Sequence, residues 1–369
     1  MIESIMRQDL TIVRVASPAD SIWQEILEIL PHDFYHLPGY LALEAARHNA
    51  KPEAFIVKSD ERIFFLSYLV RDCSDILSER NHQLDRIYDV VSPYGYPGML
   101  ISQAGQNPGF IRKCLNLIYD YWRDRNICSA FIRLHPILNT YISSLLIDDN
   151  ESIFCKQGDV VTCDLTKTLK DIVSQIRSSH RTKINRLIRA GFVVTMGSID
   201  RYLNVFIDIY RETMDRVKAT DGYYFTQAYF DNLVRVLGDR LKICIVEING
   251  EVVAASLVTE FGGIVQYHLG GTKTEFLRQS PATIMFMYTI EWAKQRNNRL
   301  LNLGGGLGGN HDSLYHFKAG FSDEYESFTT IKTIVDREKY DRLVFDRARS
   351  KGVSKLELES TSFFPAYRS

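Results

Sequence analysis

ICIVEINGEVVAASLV, residues Ile243–Val258, carries the clearest local signal in the chain. Two β-rich apolar runs flank Asn249-Gly250, and both of those residues tolerate the positive φ of a type I′ turn, so the stretch predicts a tight antiparallel hairpin. A second glycine turn, Gly262-Gly263, leads into Ile264–Leu269 (IVQYHL) and adds a third strand. Beyond Gly270-Gly271, the residues Ile284, Met287, Tyr288 and Trp292 recur at helical spacing. They predict a helix from about Pro281 to Gln295, followed by a strand over Arg299–Leu303. Upstream, Leu169–Ala190 and Tyr202–Val217 read as two helices, the second with Leu203, Phe206, Ile207, Tyr210, Met214 and Val217 on one stripe.

The same plan recurs earlier in the chain. FIVKSDERIFFLSYL, Phe55–Leu69, lies over Cys244–Val258 without a gap, turn on turn, with Ile-Val and a Ser at equal offsets. A strand over Tyr88–Val91, the turn-rich Ser92-Pro-Tyr-Gly-Tyr-Pro-Gly98, a helix over Phe110–Arg123 and a strand over Ala130–Leu134 complete the parallel. A chain of 369 residues exceeds the size at which one core usually stops growing. Two α/β domains with mixed sheets are therefore expected, 1–155 as a degenerate half and 156–345 as the fuller one. The boundary is expected near Asn150–Gln157, where Asp148, Asp149, Asn150 and Glu151 form a polar run before the next strand, and a tail over 346–369 holds a final strand through Leu356 and Leu358.

A formal net charge of −1 excludes the broad basic surface that nucleic-acid and membrane-surface proteins use, so any basic patch is local. The cysteines Cys73, Cys114, Cys128, Cys155, Cys163 and Cys244 lie in apolar stretches without a CxxC pair or His at zinc spacing, and read as reduced thiols with no metal site. Met1–Leu10 carries Glu3, Arg7 and Asp9 and does not read as a signal peptide. No run approaches the ~20 apolar residues of a spanning helix. A cytoplasmic location is expected, with peripheral association at the inner membrane face left open.

Several motifs carry chemistry. Gly304–Gly309 (GGGLGG) follows a predicted strand and fits the letters GxGxxG, but the helix after it, about Asp312–Ala319, is too short for a dinucleotide-binding crossover. The glycines Gly304, Gly305 and Gly306 instead read as a tight loop that gives a ligand access to backbone, or as strand-to-helix flexibility. Arg177, His180, Arg181, Lys183, Arg186 and Arg189 concentrate positive charge on the 169–190 helix, where Ile172, Val173, Ile176, Ile184, Leu187 and Ile188 occupy one side and Arg181, Arg186 and Arg189 the other. That face is either solvated or meets an anionic partner such as a pyrophosphate, a tRNA or a lipid-linked phosphate. Tyr267 and His268 sit on one strand with side chains to opposite faces, so one of the pair can enter a cleft. His268 is either a structural histidine or a proton acceptor. Met214–Phe225 joins a helix end to the aromatics Tyr223, Tyr224 and Phe225, which form core or wall a pocket. Lys318 stands among aromatics directly after the glycine loop, where an ammonium can anchor developing negative charge.

Taken in order, Tyr267-His-Leu-Gly-Gly-Thr272, Pro281 opening a helix that carries Trp292, Leu303-Gly-Gly-Gly306 and Phe317-Lys-Ala-Gly-Phe-Ser322 resemble the C-terminal half of the FemAB-like acyltransferases. Ser92–Gly98 resembles a first-half motif of bacterial members, and the likeness spans about residues 33–345. The resemblance implies two tandem acetyltransferase-like (GNAT-type) domains. It also implies transfer of an acyl or aminoacyl group from acyl-CoA or aminoacyl-tRNA to an amine of a small-molecule or lipid-linked envelope precursor, an amino sugar or a peptidoglycan peptide. It places the lysine of the family's FK motif, implicated in catalysis or substrate binding, on Lys318, and an arginine associated with acceptor phosphate on Arg216. The CoA-gripping pattern (R/Q)xxGx(G/A) falls on Arg278-Gln-Ser-Pro281-Ala-Thr283, where Pro281 has no N–H to offer a pyrophosphate. The heptad arm of some tRNA-using members has no counterpart between Arg177 and Leu237. The donor thus stays open between the two, with no tightly bound cofactor. The expected chemistry is direct attack of a neutral amine on the carbonyl, without a covalent enzyme intermediate. Lys318, Tyr267 and His268 are the catalytic candidates, and Arg181, Arg216, Tyr224 and the three glycines the substrate-binding ones. The alternative is a non-catalytic tRNA- or glycan-binding module on the same fold.

Overall fold

Residues 11–77, 86–142, 152–361 and 363–369 are described by a computed structural model. They form two units, one made of residues up to 156 together with 328–369, the other of 157–327. Met1–Leu10 and the polar run Asp148–Glu151 lie outside the described residues.

The first unit contains β1 (Thr11–Ala16), α1 (Ser21–Ile29), α2 (Pro38–Arg47), β2 (Lys51–Ser59), β3 (Arg62–Asp72), β4 (Tyr88–Val91), β5 (Met99–Ile101), α3 (Pro108–Asp124) and β6 (Ile127–Arg133). Its sheet runs β1-β2-β3-β4-β6, with β5 beside β3. The β1–β2, β2–β3 and β3–β4 pairs are antiparallel, whereas β4 and β6 are parallel. A parallel pair requires a crossover, and α3 supplies it. Pro108 opens α3 and the Asn107 side chain accepts the Phe110 N–H at 2.8 Å. Phe110, Ile111, Cys114, Leu115, Ile118 and Trp122, spaced at helical period, are buried against Phe55, Phe64 and Ile127 of the sheet.

The second unit contains the C-terminal part of β7 (Ser152–Asp164), α4 (Leu169–Gln175), α5 (Ser178–Arg189), β8 (Val193–Gly197), α6 (Ile199–Arg216), α7 (Gln227–Leu237), β9 (Leu241–Ile248), β10 (Glu251–Phe261), β11 (Ile264–Thr272), α8 (Ala282–Gln295), β12 (Leu300–Gly304) and α9 (Ser313–Lys318). The β9–β10 turn forms as its sequence requires, with Asn249 at φ 52° and Gly250 at φ 80°. The strand order is β7-β12-β11-β10-β9-β8, in which β11–β12 is the parallel pair and α8 the crossover. β2-β3-β4-α3-β6 and β9-β10-β11-α8-β12 are therefore one plan executed twice, and the chain is two tandem acetyltransferase-like α/β halves. The last elements are β13 (Glu324–Ile334), α10 (Arg337–Lys351) and α11 (Lys355–Glu359). Thr330–Ile334 pairs antiparallel with β6, completing the first unit's sheet.

Two expectations are corrected. The 169–190 helix is broken: Arg177 takes φ −50° and ψ 139°, and its N–H bonds to Gly320 O at 2.9 Å instead of continuing the helix. The break rephases the second half, so Leu187 is buried while Ile188 is 57% exposed. The tail residues Leu356 and Leu358 lie in a helix, closed at its start by a capping box between Ser354 and Glu357.

Candidate active site

β11 and β12 part within the sheet. Ile264, Val265 and Gln266 pair with Leu300, Leu301 and Asn302, and there the pairing stops although β11 continues to Thr272. A bulge sets this up. Against β10, Leu257 faces Leu269 and Val258 faces Tyr267, leaving His268 as the extra residue that twists the strand away. On the other side, the Asn302 side chain accepts the Gly304 N–H at 2.8 Å, and Gly304 turns out of the strand at φ 79°, a conformation that favours glycine.

The loop that follows meets Lys318. Its Nζ donates to Gly305 O at 2.8 Å and lies 5.8 Å from the centre of the Tyr267 ring. A Cβ at Gly304 would stand 3.1 Å from that Nζ, and one at Gly305 would stand 2.7 Å from Asp159 O, so the loop packs with no room for side chains there. Lys318 is only 6% exposed, and burial pulls its ammonium down to about 8, against the opposing pull of the Asp312 carboxylate. Asp312 caps α9 by accepting the Tyr315 N–H at 2.9 Å and also accepts the Leu307 N–H at 2.9 Å, so it fixes both the loop and the helix that carries Lys318. The Tyr267 ring packs on Phe286 of α8 at 4.6 Å, and burial raises its hydroxyl above the ordinary tyrosine range. That hydroxyl lies over Gly270, where a Cβ would be 1.9 Å away.

Lys318, Tyr267, Gly304 and Gly305 thus come together where the strands part, with Gly306 next in the loop, and Tyr267 rather than His268 stands beside the lysine. His268 is 8% exposed. Arg216 and Tyr224 form a second cluster at the far end of β11. Arg216 donates to Thr272 O at 3.0 Å and Thr274 Oγ1 at 3.1 Å, and the Tyr224 hydroxyl donates to Asp215 Oδ1 at 3.0 Å. Arg181 lies elsewhere. Its Nη1 donates to the Val173, Ser174 and Ile176 carbonyls at 3.3, 3.1 and 2.6 Å, closing the C-terminus of α4. Beside it, Ile176, Ile184, Ile284, Tyr288 and Glu291 line a groove of about 450 Å³.

Sequence reasoning passed over Asn302, Asp312 and the pair Asp159–His311, whose carboxylate and ring lie 3.1 Å apart. The polar triplet Asn310-His311-Asp312 immediately after the glycine run was the available signal. No helix among the described residues is long and apolar enough to cross a membrane, and no cluster of His, Cys, Asp or Glu among them is arranged to hold a metal ion.

Residues 174–326 match the family model of the acetyltransferase (GNAT) domain. No curated protein sequence matches the chain. Among solved structures, FemX superposes with a TM-score of 0.63 at 12% identity, over 89% of this chain and 98% of that one. L-PGS from Bacillus licheniformis gives 0.52 at 13% identity, over 90% and 97%. A tandem GNAT protein from the clavulanic acid biosynthesis pathway gives 0.50 at 9% identity, over 87% and 98%. Residues 174–326 thus carry a match to the GNAT acetyltransferase domain, and the chain shares the fold of FemX, as its resemblance to the FemAB-like family implied.

Proposed function

We propose that this protein transfers an acyl or aminoacyl group from acyl-CoA or aminoacyl-tRNA to an amine of a cell-envelope precursor, an amino sugar or a peptidoglycan peptide. The observation that carries the reading is the opening between β11 and β12, with a buried lysine held against a glycine loop at its mouth. The donor's carbonyl lies in that opening. The neutral amine attacks it directly, the C–N bond forms, the C–S or C–O bond breaks, and thiol or tRNA hydroxyl departs.

Lys318 and backbone amides of Tyr267–Gly271 meet the oxyanion, where removing one preorganised donor typically lowers the rate ~10²–10³-fold. Arg216, with Tyr224 beside it, binds the acceptor's phosphate. Gly304, Gly305 and Gly306 let the donor approach the backbone. Arg181 would reach a donor phosphate only by releasing the α4 carbonyls. CoA is the usual co-substrate of this superfamily, while Pro281 at the head of α8 withholds one N–H from a pyrophosphate, which keeps aminoacyl-tRNA in play. The acceptor is a small-molecule or lipid-linked precursor, met in the cytoplasm or at the inner face of the membrane.

The test is incubation of the purified chain with a panel of acyl-CoAs and with charged tRNA, against amino sugars and muramyl peptides, followed by mass spectrometry. An acceptor gaining the acyl mass in a protein-dependent manner is the expected result. No product from either donor class would reject the reading.

A further inference from the structure

The amine that attacks must lose a proton, and neither Lys318, whose Nζ is turned to Gly305 O, nor Asp312, engaged with the Leu307 and Tyr315 amides, is placed to take it. We propose that His311 is the proton acceptor and that Asp159 is the residue that positions it; the proposal rests on the acyl-transfer reading above.

Asp159 lies on β7 and is 9% exposed. Its Oδ2 is 3.1 Å from His311 Nε2, and its Oδ1 accepts the Ser327 hydroxyl at 3.2 Å, so both oxygens are held. The His311 ring stacks on Tyr315 with centroids 3.9 Å apart and planes 5° from parallel. A carboxylate on one nitrogen and an aromatic against one face fix the ring. A proton on Nε2 facing the carboxylate leaves Nδ1 as the accepting nitrogen, on a side chain that is 50% exposed.

The dyad adjoins the lysine site through two routes. The backbone carbonyl of Asp159 abuts Gly305, the residue whose own carbonyl receives Lys318 Nζ. Tyr315, under His311, is three residues before Lys318 on α9, a spacing that puts two side chains on one helix face. The charged and titratable groups around His311 are Asp159 from β7, Asp312 next in the chain, and His316, Tyr315 and Lys318 from α9, with the His316 ring 6.5 Å away.

In the step itself, the amine nitrogen bonds to the carbonyl carbon and the carbonyl electron pair moves to oxygen. The ammonium so formed gives its proton to His311 Nδ1. The tetrahedral species collapses, the leaving sulfur or oxygen departs with its bonding pair, and the imidazolium returns the proton to it. Nothing is oxidised or reduced, and amide plus thiol or hydroxyl are the products.

The test uses full-length wild type, H311Q, H311A, D159N and K318A with the donor and acceptor pair that the incubation panel identifies, plus diethyl pyrocarbonate as a probe that needs no substrate. His311 in wild type is expected to be carbethoxylated, as seen by peptide mass spectrometry; an unreactive ring would overturn the proposal, because an acceptor amine could not reach it either. In kcat/KM against pH, wild type should show an ascending limb. H311Q should fall ~10²–10⁴-fold at the plateau and keep only the rise that the acceptor amine itself sets, and K318A should lower the plateau with the shape of the profile kept. Added imidazole should restore part of the H311A rate, which a merely structural histidine would not allow. D159N should lower kcat with KM unchanged. If wild type transfers normally and H311Q stays within threefold with the same limb, the base assignment is wrong and the acyl-transfer reading survives. If wild type transfers nothing from either donor, that reading falls and takes the base with it, whatever the probe reports.

Discussion

Replacing Lys318 by Met keeps an unbranched apolar stem, one atom shorter, and removes the ammonium with its bond to Gly305 O, so it tests what burying that charge does to this fold. The structure gives the size of the effect. Lys318 is 6% exposed, and burial takes its ammonium from 10.5 down to about 8. A difference of that size corresponds to about 3 kcal/mol between the two protonation states. Below pH 8 the folded and unfolded chains both hold the proton, and the burial penalty is present in full. Between pH 8 and 10.5 the unfolded chain keeps a proton that the folded chain has released, so wild-type stability rises with pH; above 10.5 both are neutral and the rise ends. Lys318→Met has no such group. At pH 7 the two proteins should differ little, because relief of the burial penalty is offset by loss of the bond to Gly305 O, and a hydrogen bond to a charged group is worth about 1.5–3 kcal/mol. The informative quantity is the slope. Urea unfolding of both proteins, followed by tryptophan fluorescence at intervals from pH 7 to 10.5, should show wild type gaining about 3 kcal/mol on the variant, with the titration of every other group cancelling in the difference. A difference that stays flat within about 0.5 kcal/mol over that range would mean the ammonium is not buried, and the oxyanion role built on its fixed position would go with it.

Arg216→Ala should raise the acceptor KM by roughly 10- to 100-fold with kcat changed much less, the signature of a lost ground-state contact to a phosphate; an unchanged KM rejects that contact. Gly305→Ala places a Cβ 2.7 Å from Asp159 O, so the loop must move. A loss of about 1–3 kcal/mol and a drop in transfer should follow, and a wild-type Tm with wild-type turnover would contradict the packing described. The donor KM measured over a series of salt concentrations separates the two donors. It should climb steeply if many tRNA phosphates are gripped and weakly for an acyl-CoA, so a flat profile eliminates tRNA.

What could be read from sequence was local. The β9–β10 turn needed only Asn249 and Gly250, and its counterpart at Asp60 and Glu61 was found by overlaying one hairpin on the other; Asp60 also takes a positive φ, 54°. The family motifs brought Lys318, Tyr267 and the glycine loop into one list, and the fold puts them in one place. What could not be read depends on distant partners. The 169–190 stretch has helical periodicity throughout, and it breaks at Ile176–Arg177, where Arg177 N–H bonds to Gly320 O, far along the chain. Asp159 and His311 are 152 residues apart, and neither sits in a pattern that periodicity detects. The tail is a different case: Ser354 and Glu357 spell a capping box that a reading for strands overlooked.

The two site clusters lie on one strand, and that constrains the acceptor. Tyr267 stands at the mouth where β11 leaves β12, and Thr272, five residues on, accepts from Arg216. With His268 bulged out, the two points are four strand steps apart against β10, roughly 13 Å at about 3.3 Å per step. If Arg216 holds the acceptor's phosphate, that span fits the peptidoglycan peptide on a phosphate-bearing carrier better than it fits a phosphorylated amino sugar. Comparing KM for one amine carried on short and on long phosphate-bearing acceptors therefore bears on the whole arrangement. A preference for the long form that disappears in Arg216→Ala fits two ends of one substrate on one strand. Equal use of both lengths by the wild type means that the Arg216 cluster serves something else.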